Sequence, residues 1–200
     1  MPEPITPETV KKLREMTGAG IMDCKRALVE SGGDMDAAVA VLRASGQVSA
    51  AKKADRDARD GVIGSYIHAG SRLGALIEIN CETDFVARNE DFQRLVRNLA
   101  THVVGMNPQY VTIESVPAEI VEARRAEFRA DPKVAGKPAE IQDKILDGQL
   151  QKWYQDVVLY EQPFRDTDQN VGQLITDAIA RIGENIRVRR FTRYALGEEL

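Results

Sequence analysis

Along the first 46 residues, apolar positions recur every three or four places and are interrupted by glycines, a pattern that predicts three short helices. In the segment ITPETV, Thr6 is placed to cap the first amide groups, Pro7 suits the first helical position, and Ile5 can pack against Val10 as a staple. Val10, Leu13 and Met16 then share a face, and Gly18 stops the helix. The turn TGAG leads into a second helix whose inward side is Ile21, Cys24, Ala27 and Leu28, ended by Gly32 and Gly33. Asp34 caps a third helix, which turns Ala38, Val41 and Leu42 inward and stops at Gly46. A bundle of this size has a thin core and leans on the rest of the chain or on a partner.

From Ser49 to Asp60 the chain is rich in alanine and alternates charge through Lys52, Lys53, Asp55, Arg56, Asp57, Arg59 and Asp60, which predicts an exposed helical linker with ion pairs. The period then changes to two. Residues 61–68 and 72–81 read as hairpin strands around Ala69, Gly70 and Ser71. Leu73, Ala75, Ile77, Ile79 and Cys81 face a core, while Arg72, Glu78 and Asn80 face water. After a loop at 82–88, Asn89 to Asp91 supply cap and acidic residues to a helix whose apolar face is Phe92, Leu95, Val96, Leu99, Ala100 and Val103. Residues 117–162 read as mostly helical, with breaks at 131–138 and at Gly148 and an apolar stripe of Leu150, Trp153, Tyr154 and Val157. A further helix sets Val171, Leu174, Ile175, Ala178 and Ile179 on one side and stops at Gly183. The final ENIRVRRFTRYAL reads as a strand with a phase slip between Val188 and Phe191, joining the hairpin. Together these elements predict an α+β fold: a three-helix module over 1–46, a charged helical linker over 47–60, and over 61–200 an antiparallel sheet flanked by helices.

Composition narrows the chemistry. With 43% hydrophobic and 29% charged residues the chain is of the soluble globular class, and no apolar run approaches the ~20 residues of a bilayer span. The start MPEPITPETVKK carries neither an apolar signal region nor an Arg-rich transit pattern, so the expected location is cytoplasmic, with no membrane partner. A formal net charge of -4 argues against broad phosphate attraction, and no direct nucleic-acid partner is expected. Arg187, Arg189, Arg190 and Arg193, with Phe191 and Tyr194 among them, form a local cationic cluster; on a strand it reads as a solvated or edge-protecting face. Cys24 and Cys81 lack metal-ligand spacing, and with only His68 and His102 beside them they read as packing residues, so no metal or cofactor is expected. TGAG is a tight interhelical turn, and no phosphate-cradling glycine motif occurs.

The most informative segment is CETDFVARNEDF, residues 81–92, where a strand gives way to a helix and Asp84 and Phe85 sit at the tip of the connection. By pattern alone Phe85 has two futures: it folds back under the helix as core, or it projects as an anchor for a partner's pocket. Here the chain resembles a known family. TGAGIMDCKRAL at 17–28, INCETDFVARNEDF at 79–92, LYEQPF at 159–164 and RFTRYALGE at 190–198 are similar, in order and over nearly the whole chain, to elongation factor Ts. The likeness is to the short form, with one core unit where longer members carry two, and Tyr160 stands where an aliphatic residue is common.

The resemblance implies a guanine-nucleotide exchange factor, not an enzyme, that binds elongation factor Tu and promotes release of GDP and Mg²⁺. It implies that the 1–46 module is ubiquitin-associated-like and meets the GTPase domain through Thr17, Gly18, Ala19, Gly20 and Met22. It also implies that the tip Thr83, Asp84 and Phe85 is pushed between helices near the partner's nucleotide site, Phe85 acting as wedge, Asp84 accepting hydrogen bonds or perturbing charges beside it, and Val86 and Ala87 supporting the tip. A single core unit implies a homodimer that presents two. Two other functions compete: an adaptor whose arginine strand touches RNA, and a hydrolase built on Cys24.

Overall fold

The structure, a computed structural model, describes residues 5–165 and 167–198. Residues 1–4, in the segment read as lacking a signal, and 199–200, the end of the predicted core segment, lie outside the described residues. The contacts fall into two compact units: one is built from the chain up to Val62 with Ile79–Leu95 and Ile175–Arg187, the other from Ile63–Glu78, Val96–Leu174 and the chain from Val188 onward. The fold is α+β, with N-terminal helices and a three-stranded antiparallel sheet.

In the first unit, α1 (Pro7–Thr17) opens with a capping box in which Thr6 accepts from Thr9 N–H and the Thr9 hydroxyl accepts from Thr6 N–H. It ends on Gly18, whose φ of 67° is the left-handed conformation that a side chain disfavours. Helices α2 (Ile21–Glu30) and α3 (Met35–Ala51) follow, the latter capped by Asp34. Their core is Val10, Leu13, Cys24, Ala27, Leu28 and Ala38. Met16 and Ile21, expected inside, are instead exposed. A core this small closes around Leu13 and Cys24 and leaves the end of one helix and the start of the next in solvent.

Gly46 does not stop α3. It is buried in the helix, and a Cβ built on it would lie 3.5 Å from the Ala180 side chain, so the helix continues by packing there; a glycine costs a helix only about 1 kcal/mol against alanine. Beyond Ala51 the expected linker helix gives way to turns. The carbonyls of Ala54 and Arg56 go to the side-chain amide of Asn185, at 3.2 and 2.8 Å, instead of to a continuing helix.

The sheet has the order β1 (Asp60–Ile67), β2 (Leu73–Cys81), β3 (Arg187–Ala195). Gly61 lets β1 approach its neighbour: its φ is 143°, and a Cβ there would meet the Ile79 carbonyl at 2.1 Å. Alternation in β2 buries Ala75, Ile77, Ile79 and Cys81 as expected. Asn80, expected in water, is buried because its amide donates to the Asp60 carbonyl at 3.1 Å. In β3 the phase slips: Val188 is buried, Arg189 and Arg190 are both exposed, and Phe191 turns half-inward again. That slip lets both guanidiniums reach Glu78, at 2.9 and 2.7 Å, while the Val188 N–H donates to the Tyr160 hydroxyl.

The connection at 82–88 is not a plain loop but contains a helical turn, α4 (Asp84–Ala87), capped by Thr83. Then α5 (Glu90–Met106) buries Phe92, Leu95, Val96, Leu99, Ala100 and Val103, the face its sequence predicts. In the second unit α6 (Ala118–Ala130), α7 (Pro132–Ala135) and α8 (Ala139–Val157) follow. Gly148 does not break α8, since buried Leu146 and Leu150 anchor the helix on either side. Val116, Val157 and Val158 form a cluster against which Trp153 and Tyr154 pack. Finally α9 (Val171–Ile182) buries Val171, Ile175, Ala178 and Ile179, and Gly183 follows at a φ of 93°.

Candidate functional site

The corner between β2 and α5 lies in the first unit. Cys81 is fully buried, and its thiol donates to the Thr83 carbonyl at 3.2 Å. The Thr83 hydroxyl accepts from Val86 N–H, and the Ala87 carbonyl accepts a 2.5 Å bond from the side-chain amide of Gln93. The corner is fastened from below by Glu184, whose carboxylate accepts from the backbone of Glu82 and Thr83, both at 3.0 Å, and from the Thr83 hydroxyl at 2.7 Å. On this base Phe85 is 84% exposed. Of the two futures its pattern left open, the structure excludes the core. Asp84 is exposed and paired with Arg88 at 2.6 Å, one helical turn on. Val86 is half-buried and Ala87 buried.

The other candidate residues, at the α1–α2 turn, belong to the same unit. Thr17 is chiefly a brace: its hydroxyl donates to the Leu13 carbonyl and accepts from Ala19 N–H. Gly18 and Gly20 are exposed, Ala19 packs against the helical core, and Met22 is 69% exposed. Met16 and Ile21, on either side of the same turn, are exposed as well. The sequence reading missed these two because an apolar residue on the predicted inward face looks like core; the signal was the shortness of the bundle. A Cβ on Gly18 would come within 3.0 Å of the Arg181 guanidinium, and Arg181 also stands 3.9 Å from Asp91 at the head of α5.

Neither cysteine is poised as a nucleophile. Burial pushes the Cys24 thiol above its ordinary range, and Cys81 is raised to about 11, first by burial and then by the negative charge of Glu184. His102 is buried, with Nε2 3.0 Å from the side-chain oxygen of Gln162, whose amide in turn donates to the Met106 and Asp156 carbonyls. A cavity of about 540 Å³ in the second unit is lined in part by Tyr66, His68, His102, Phe164 and Arg193. Among the described residues no group of three or more His, Cys, Asp or Glu is arranged to hold a metal, and no helix is long and apolar enough to cross a membrane.

The arginine strand is engaged internally. Arg187 donates to the Ala58 carbonyl, Arg189 and Arg190 hold Glu78, and Arg193 donates to the Val104 carbonyl and pairs with Glu198. Glu78 is held below the usual carboxylate range by hydrogen bonds from Arg190 first and Arg189 second.

A family model described as elongation factor TS matches residues 25–198. Relatives named elongation factor Ts align over 98% of this chain and 91% of their own length: one from Geobacter metallireducens at 52% identity, one from Geobacter sp. strain M21 at 50% and one from Carboxydothermus hydrogenoformans at 50%. A match over this much of both chains shows that the chain belongs to the elongation factor Ts family.

Proposed function

We propose that the chain is a guanine-nucleotide exchange factor that binds elongation factor Tu in its GDP state and promotes GDP and Mg²⁺ release during translation elongation, with no covalent catalysis of its own. The observation that carries this reading is Phe85, exposed at 84% on a helical turn whose backbone is tied down beneath it. An aromatic ring so placed adds nothing to its own fold and is available to a partner's pocket.

The mechanism is linkage. A factor that prefers a partner conformation holding GDP and Mg²⁺ poorly weakens GDP by the same ratio by which GDP weakens the factor, each tenfold being about 1.4 kcal/mol. Burying the Phe85 ring supplies roughly 1.5 to 3 kcal/mol, a large share of such a coupling but not the whole. Asp84 acts beside it and exchanges Arg88 for groups of the partner, while Val86 and Ala87 set the height of the tip. Thr17, Gly18, Ala19, Gly20 and Met22 dock the ubiquitin-associated-like N-terminal module on the GTPase domain, joined by Met16 and Ile21. The protein works in the cytoplasm as a homodimer, two copies of its single core unit serving two partners.

Loss of a fluorescent GDP analogue from elongation factor Tu, followed by stopped flow, tests the reading. Phe85→Ala should slow release by about tenfold to 150-fold, the rate equivalent of the ring's burial, and Asp84→Ala should slow it as well; full activity in both would remove the wedge. Light scattering at micromolar concentration should return twice the chain mass, and a monomer would remove the dimer.

A further inference from the structure

An exposed ring on a four-residue helical turn receives no direction from its own packing, so what aims Phe85 has to be the backbone beneath it. A turn this short does not hold itself, because the first hydrogen bonds of a helix return little for the residues they fix. We propose that Glu184, at the junction of α9 and β3, is the positioning residue of the exchange tip. The inference rests on the reading of Phe85 as the wedge.

The geometry supplies the reason. A carboxylate only accepts hydrogen bonds, so the Thr83 hydroxyl, 2.7 Å away, gives its single proton to Glu184. Its lone pair is then turned to Val86 N–H, the bond that caps the helical turn. The same carboxylate takes the N–H groups of Glu82 and Thr83 just before that turn. Glu82 answers in kind: its own carboxylate accepts from Asn185 N–H at 2.6 Å and stands 3.5 Å from Arg56. Two segments about a hundred residues apart thus trade carboxylate-to-amide bonds, which are stronger than neutral ones. All of these groups lie in the first unit. Cutting the bond at Glu184 frees the hydroxyl rotor, loosens the cap and lets the ring wander from the direction that opens the partner.

The test is a double-mutant cycle on GDP release from elongation factor Tu with the full-length chain. Glu184→Ala should lower the limiting release rate at saturating factor by roughly tenfold, the worth of one charge-assisted hydrogen bond, with a smaller change in the half-saturating concentration. In the Phe85→Ala background the same substitution should add almost nothing, since the tip it aims has gone. Glu184→Gln, which keeps one accepting oxygen, should fall between the two and serves in the same cycle if the alanine variant does not fold. In the free protein, hydrogen exchange at the Val86 amide should speed up in either variant. A full Glu184→Ala effect persisting without the ring, an unchanged limiting rate, or unchanged Val86 exchange would overturn the inference while leaving the wedge standing. Wild-type release by Phe85→Ala alone would overturn the wedge, and this inference with it.

Discussion

Met22 and Phe85 are both large apolar side chains left in solvent, at 69% and 84% exposure, and neither contributes to the core beneath it. Replacing Met22 with serine should therefore shift stability by no more than about 0.5 kcal/mol while weakening binding to elongation factor Tu, read by calorimetry beside a thermal melt. A large loss of stability would mean that Met22 packs after all. Residues of this kind were legible in the sequence only in part. The family likeness marked Met22 and Phe85, whereas period-3.6 reasoning sent Met16 and Ile21 inward, since periodicity gives the face of a helix but not how far along its length the core extends. Nothing local in the sequence pointed to Glu184, whose partners lie about a hundred residues upstream. The Tyr160 hydroxyl takes up the Val188 N–H of β3, which an aliphatic side chain could not do.

At the scale of elements, α5 and α9 were readable from their apolar faces because each buries a continuous stripe, and the slip in β3 was visible as two successive arginines. Two of the misreadings were of glycines. Gly46 and Gly148 lie inside helices, where tertiary packing outweighs a propensity cost near 1 kcal/mol. Gly148 has open space where a Cβ would go, so Gly148→Ala should raise the unfolding free energy by about 0.5 to 1 kcal/mol in urea titrations. A destabilised variant would mean that the glycine is needed for an approach this structure does not contain. The corner at 82–88 was read as a loop because a four-residue helical turn leaves no periodicity to find.

For the whole molecule, stability should depend on pH through His102. Burial holds its pKa below the ordinary imidazole value; the Gln162 hydrogen bond opposes that shift and the charge of Arg165 adds to it. The unfolded chain then takes up this proton first, so stability is lost as pH falls below about 6.5, the unperturbed imidazole value. Carboxylates held low, Glu78 among them, lose their contribution only in more acid solution, as pH falls through their folded-state values. Urea midpoints measured from neutral pH down to about 5.5 should therefore decline in the native sequence and flatten in His102→Asn; an equal decline in both would assign the dependence elsewhere. The unit that carries both candidate contact surfaces is assembled from three stretches of chain, and the last of them, Ile175–Arg187, brings Glu184 and Arg181. A chain that stopped short of Ile175 would keep every residue of the tip and of the glycine turn but would lack the carboxylate that accepts from Glu82 and Thr83 and the guanidinium that lies against Gly18.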